Sequence, residues 1–146
     1  MSQLLEQNSL AHLACQIIET TAFAFAQVSD AADATMPEIG VLCACISFKG
    51  PVQGELRLAA RFEAAATIAG NLLGLDSEDI EDEQAMQGIH ELLNIIAGQW
   101  LTHQYGVQAV FQLGIPQACE ATIDDDQETA DLLVDDFPVR LQLCLN

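Results

Sequence analysis

Gln84-Ala85-Met86-Gln87-Gly88-Ile89-His90-Glu91-Leu92-Leu93-Asn94-Ile95-Ile96-Ala97-Gly98-Gln99-Trp100-Leu101-Thr102 repeats its apolar residues at helical spacing. At about 100° per residue, Ala85, Ile89, Leu92, Leu93, Ile96 and Trp100 gather on one side of the helix, and Gln87, Glu91, Asn94 and Gly98 fall within about 40° of one another on the opposite side. The first group is a core face. The second sets a carboxylate and a carboxamide, spaced i and i+3, side by side toward water. The solvated face of an amphipathic helix usually carries Lys and Arg. This one has no base, and it puts a glycine in line with Asn94. A glycine inside a helix costs about 1 kcal/mol relative to alanine. Close packing within the fold or close approach of a partner would each offset that cost, and the sequence leaves both open. Ile95 borders the stripe as an exposed apolar contact.

Outward from this helix, whose expected span is roughly 79–104, the chain is punctuated by turn chemistry. Ser77 is the expected N-cap, and the acids behind it favour the positive end of the helix dipole. Residues 62–73 are a second, alanine-rich helix ended by Gly74. Before it, residues 39–48 and 52–60 read as two strands joined by Lys49-Gly50-Pro51. The second alternates Val52, Gly54, Leu56 and Leu58 against Gln53, Glu55 and Arg57, so the pair is a β-hairpin. Residues 3–28 read as a helix through Leu4, Leu5, Leu13, Ile17, Ile18 and Phe25, and residues 29–37 as a loop.

After the long helix, Val107, Val110, Phe111, Leu113 and Ile115 are expected to form one strand and residues 121–126 another. Leu132 to Val134 and Val139 to Leu145 form a hairpin across Asp135-Asp136-Phe137-Pro138. The order is helix, hairpin, two helices and a strand meander. That is an α/β or α+β sandwich of helices on a mostly antiparallel sheet, in a single domain over residues 1–146, with the long third helix carrying the site.

Charge narrows the function classes. The 146 residues hold 22 acids and 4 bases, a net charge of −18. Lys49, Arg57, Arg61 and Arg140 do not cluster, so nothing could neutralise a run of phosphates, and binding to nucleic acid or anionic lipid is not expected. Residues 76–83 and 120–136 hold 14 of the acids, as solvated loops or as a rim for a basic partner. The five cysteines are odd in number and contain no CxxC pair, which fits reduced thiols in an intracellular core. On a strand, Cys43 and Cys45 would share a face. No secretory n-region or membrane-length apolar run is visible, so a cytoplasmic protein is expected. Metal-ligand spacings are absent, Asp124-Asp125-Asp126 lacks the spaced ligands and glycine of a calcium loop, and no phosphate loop or nucleophile motif occurs.

The motif in the third helix, taken with what flanks it, resembles the CheC/CheX family of chemotaxis phosphatases. The family pattern is Asp or Ser, three residues, Glu, two residues, Asn, and then a distant Pro. Here Gln87 stands where the family has Asp or Ser, Glu91 and Asn94 follow at the family spacing, and 21 residues intervene before Pro116, one fewer than usual. Ile46-Ser47-Phe48-Lys49-Gly50-Pro51 to Gly54-Glu55-Leu56 is similar to the family's first hairpin. Glu63-Ala64 to Leu72-Leu73-Gly74-Leu75 is similar to its second helix. The resemblance covers most of residues 15–145. The first helix carries no Glu-x-x-Asn, which matches the CheX-type arrangement with one site per chain.

The resemblance implies a function. Family members remove phosphate from the aspartyl phosphate of a CheY-type response regulator, which itself supplies Mg²⁺ and most of the catalytic apparatus. Asn94 would orient the attacking water and Glu91 would pair with the regulator's lysine. Gln87, Ile95, Gly98 and Pro116 would contact the partner. No cofactor or metal on this chain is implied, and the CheX-type arrangement implies a homodimer. The alternative is a non-catalytic, CheC-like module that docks to a receiver domain or to a flagellar or signalling partner. His90, beside Glu91, reads as a semi-exposed surface residue, His103 as a helix-end residue and Trp100 as core.

Overall fold

The computed structural model describes residues 2–28, 40–119 and 128–145. Its helices are α1 (Ser2–Thr21), α2 (Phe62–Leu73) and α3 (Asp82–Tyr105). Its strands are β1 (Ala26–Val28), β2 (Val41–Lys49), β3 (Gln53–Arg61), β4 (Gln112–Leu113), β5 (Gln117–Ala118), β6 (Glu128–Val134) and β7 (Phe137–Leu145). The strands form one antiparallel sheet in the order β1-β6-β7-β3-β2-β4, with β5 also on β2.

Period-2 alternation sets what each face does. Ala130, Leu141, Leu58 and Ala44 stand in one cross-strand row, Leu143, Leu56 and Ile46 in the next, and all are buried. The three helices pack on this face and share one core with it. The other face carries Cys43, Cys45, Glu55, Arg57, Arg140, Gln142 and Cys144 in register. Arg140 Nε donates to Asp131 Oδ1 at 2.6 Å across two strands, and Arg57 Nε donates to Glu55 Oε1 at 2.8 Å along one. Cys43 and Cys45 thus share a face as expected, but it is the face opposite the described helices and not the helix-side core. None of the five cysteines is in a disulfide.

The expected elements hold with informative exceptions. The β2–β3 hairpin and α2 lie where the turn signals put them, and Gly74 closes α2 in the left-handed conformation at φ 73°. The β6–β7 hairpin is tighter than expected. Asp135 and Asp136 take φ 49° and 71°, as a two-residue type I′ turn requires, and Val134 faces Phe137 directly.

The helix expected over residues 3–28 stops at Thr21. Phe25 falls at helical spacing but is 62% exposed, while Ala22, Ala24 and Ala26 are buried alternately, and that strand period wins because β6 offers β1 a ladder. Ser77 begins a 3-10 turn (Ser77–Asp79) instead of capping α3, whose N-cap is Glu81. The Glu81 N–H donates to Gln84 Oε1 at 3.0 Å, the reach-back of a capping box. The strand expected through Val107, Val110, Phe111, Leu113 and Ile115 is not continuous. Val107, Val110 and Ile115 are at least 79% exposed, and only β4 and β5 pair with β2, on either side of Gly114-Ile115-Pro116. Proline brings no N–H to a ladder, which fits the interruption. The loop expected over residues 29–37, the strand over 121–126 and Asp124-Asp125-Asp126 lie outside the described residues.

Candidate functional site

Two contacts position α3. On one side, Gly88 lets it lie against α2. A Cβ there would come within 2.5 Å of Ala69 Cβ and 2.6 Å of Ala69 Cα. On the core side, Ala85, Ile89, Leu92, Leu93, Ile96 and Trp100 are all buried, as the wheel requires. These contacts fix the rotation of the helix about its axis. The opposite stripe is thereby presented outward: Gln87, Glu91 and Asn94 are exposed, and Gly98 is half-exposed. No hydrogen bond or ion pair to another described residue engages the side chains of Gln87, Glu91 or Asn94.

The segment between β4 and β5 supplies the facing wall. Gly114 lies so close to β2 that a Cβ would run into Ser47 Oγ, and its N–H donates to the Ser47 carbonyl at 2.8 Å. This anchors Ile115 and Pro116 opposite α3. Between the two walls runs a groove of about 910 Å³, lined on the helix by Asp82, Glu83, Met86, Gln87, His90, Glu91 and Asn94, on the facing segment by Gly114, Ile115 and Pro116, and on β2 by Leu42. Four of the six residues singled out from sequence, Gln87, Glu91, Asn94 and Pro116, therefore line one groove, although Pro116 is far from the others in the chain.

Ile95 and Gly98 do not line it. They border a second groove of about 630 Å³, between α3 and Leu13 of α1, and Asn94 is common to both. Ile95 is half-buried and packs on the core, so it is less exposed than the wheel implies. Among the described residues, a Cβ on Gly98 would meet only Leu113 Cδ1, at 4.0 Å. Of the two explanations for this glycine, packing within the fold is therefore not the one met; the glycine that internal packing demands is Gly88.

The first groove carries the charge of Asp82, Glu83 and Glu91 with no Lys or Arg in its lining, so it attracts a cationic group. Asp82 and Glu83 were legible only as members of an acidic run. His90 is half-buried in the groove wall, and its Nε2 is buried with no hydrogen-bond partner among the described residues. Ile115 has the apolar pattern of a strand residue but stands 82% exposed at the lip, between β4 and β5. Cys15, Cys43 and Cys119 lie outside this groove, and burial raises the pKa of each. Burial, with help from Glu19, pushes Cys15 up to about 11. Burial, followed by the neighbouring Cys45 and Cys43, pushes Cys119 up to about 12. Such thiols are poor nucleophiles. Among the described residues no three His, Cys, Asp or Glu stand together as metal ligands, and no helix is long and apolar enough to cross a membrane.

This fold occurs in solved structures at low sequence identity. The CheX chemotaxis protein of Vibrio vulnificus superposes with a TM-score of 0.75 at 14% identity, covering 95% of each chain. The CheX chemotaxis protein of Desulfovibrio desulfuricans gives 0.69 at 16% identity, over 97% of this chain and 99% of that one. The CheX of Borrelia burgdorferi, solved as a CheX–CheY–BeF3–Mg²⁺ complex, gives 0.63 at 16% identity, over 95% and 96%. No curated protein matches the chain significantly in sequence. The family model described as chemotaxis phosphatase CheX matches residues 42–130, which span β2 through the start of β6 and include the whole of α3 and the facing segment. The chain belongs to the CheX family.

Proposed function

We propose that this protein hydrolyses the aspartyl phosphate of a CheY-type response regulator. The observation that carries the reading is the groove that brings Glu91, Asn94, Gln87 and Pro116 together, with the three polar side chains engaged by no other described residue. A relative of the same fold has been solved with CheY, BeF3 and Mg²⁺, which supports a regulator as partner.

The chemistry suits these groups. Water attacks phosphorus, the bond from phosphorus to the aspartyl oxygen breaks, and the products are inorganic phosphate and the free carboxylate. A carboxylate leaves without a general acid. What remains is to hold water in line. The Asn94 amide accepts from that water through its oxygen and donates to a phosphoryl oxygen through its nitrogen. Glutamine has the analogous water-placing role in GTPases. Orientation of this kind contributes part of the ~7–11 kcal/mol available to well-placed reactants. Glu91 pairs with the regulator's lysine, and the regulator brings the Mg²⁺. Gln87, Pro116, Ile95 and Gly98 contact the regulator. In this reading the chain is one domain, binds no cofactor of its own, and works in the cytoplasm as a homodimer.

Gln87, at the position of the family's Asp or Ser, favours one second reading: a module on the same fold that docks to a receiver domain without hydrolysis. The rate of phosphate loss from a purified phosphorylated regulator, with and without this protein in Mg²⁺, separates the two. Acceleration that Asn94→Ala abolishes supports the phosphatase. Binding without acceleration supports the module.

A further inference from the structure

Three thiols meet on the sheet face opposite the described helices, where β5 joins β2. Cys45 stands opposite Gln117 in that ladder, and the Cys119 N–H donates to the Cys43 carbonyl at 3.1 Å just past its end. Period 2 therefore puts Cys119 on the face of Cys43 and Cys45, across from the first and diagonal to the second. The Cys119 side chain is hydrogen-bonded to the Cys45 thiol. Cys43 is only 6% exposed, whereas Cys45 and Cys119 are half-buried. Cys45 and Cys119 are thus in contact with each other and both partly open to a small solute. Their position matters because Cys119 follows Pro116 by three residues, so it stands at the foot of the wall that faces α3.

We propose that Cys45 and Cys119 form a reversible oxidation site, closing to a disulfide in exchange with the disulfide of a small oxidised thiol and tying the wall of the first groove to β2. Cys45, as the thiolate, attacks one sulfur of the small disulfide, and the other sulfur leaves as a thiolate that takes up a proton. Cys119 then gives up its own proton, attacks the Cys45 sulfur of the mixed disulfide and expels the second small thiol. The pair loses two electrons and two protons, and one small disulfide becomes two thiols. Burial, followed by Cys45 and Cys43, pushes the Cys119 thiol up to about 12, which leaves the first, bimolecular attack to Cys45 and gives Cys119 the second, intramolecular one. Diagonal neighbours on adjacent strands start about 7–8 Å apart at Cα, the upper limit of what a disulfide spans. Closure therefore draws the end of β5 toward β2. Only two residue pairs hold β5 in its ladder, so little opposes the shift.

The test equilibrates the full chain in glutathione buffers of rising oxidised fraction. Free thiols are counted in denaturant after an acid quench, and the disulfide is located by mass spectrometry of the unreduced digest. Free thiols are expected to fall from five to three, with Cys45 joined to Cys119 within one chain, and dithiothreitol is expected to restore all five. Backbone amide exchange across residues 112–118 is expected to slow on oxidation while that of α2 does not change. Cys45→Ser and Cys119→Ser should each keep their four remaining thiols free, and Cys43→Ser, which leaves the pair intact, should oxidise like the wild type. Five thiols that persist in fully oxidised glutathione overturn the proposal. So does a disulfide that joins Cys119 to Cys43, that uses Cys15 or Cys144, or that links two chains, and so does a glutathione adduct that never resolves. A Cys45–Cys119 disulfide that leaves exchange at residues 112–118 unchanged overturns its hold on the wall. No regulator enters the assay, so these outcomes are independent of the phosphatase reading.

Discussion

Gly88 and Gly98 lie on one helix, and replacing each with alanine should move stability in opposite directions. The intrinsic term is the same for both: alanine in place of a helix-interior glycine stabilises by about 0.5–1 kcal/mol, much of it through the unfolded chain. The packing term separates them. At Gly98 the new Cβ meets one atom of the described residues, at 4.0 Å, an ordinary contact, so no described neighbour opposes the gain. At Gly88 it meets Ala69 Cβ at 2.5 Å and Cα at 2.6 Å, and neither can rotate away. Relief requires α2 and α3 to part, an overpacking cost of about 1–3 kcal/mol that exceeds the intrinsic gain. Gly98→Ala should therefore gain about 0.5–1 kcal/mol and raise the thermal midpoint by roughly 1–4 °C for a chain of this size. Gly88→Ala should lose about 0.5–2 kcal/mol. Urea unfolding followed by helical circular dichroism reads both. A Gly98→Ala variant less stable than the wild type, or a Gly88→Ala variant more stable, would refute the reasoning that internal packing requires only Gly88.

The remaining predictions concern charge and protons. Replacing Asp82 and Glu83 with Asn and Gln should slow association with a phosphorylated regulator several-fold at about 50 mM salt, and the difference should vanish at about 0.5 M, where fields beyond the contact distance are screened. Equal slowing at both salts would remove steering from the account. Cys15 has a folded pKa of about 11 against an ordinary 9.0, because burial penalises the thiolate. A raised thiol pKa gives stability that is whole below about pH 9 and is lost as pH rises toward about 11, where the unfolded chain holds fewer protons than the folded one. Denaturation midpoints should accordingly fall across that window, and less steeply in Cys15→Ala. An equal fall in both proteins would assign the alkaline loss to other groups.

What was legible in the sequence was whatever local chemistry states twice. α3 carries both its core stripe and its polar stripe, so Gln87, Glu91 and Asn94 are placed together by one period. The first hairpin is announced by alternation and by Lys49-Gly50-Pro51, and the end of α2 by Gly74. Elements held by distant partners were not legible. β1 exists because β6 offers it an edge, and its inward residues are alanines, too small to signal burial. The wall that carries Pro116 depends on Gly114 fitting against Ser47, a contact between residues 67 positions apart. The helical wheel could not tell which glycine of α3 the fold itself requires, since that depends on how closely α2 approaches. For the same reason the wheel joined Gly98 and Glu91 on one stripe, whereas the structure divides them between two grooves.

The central claim is that Asn94 places the attacking water. The most direct test is single-turnover loss of phosphate from a purified phosphorylated regulator in Mg²⁺, with wild-type protein, Asn94→Ala and Glu91→Ala. The account predicts that Asn94→Ala loses the acceleration, by about 100-fold or more as for removal of one positioned transition-state group, while keeping most of its affinity, and that Glu91→Ala weakens both. Asn94→Ala that still accelerates, or that loses binding in proportion to rate, would contradict it.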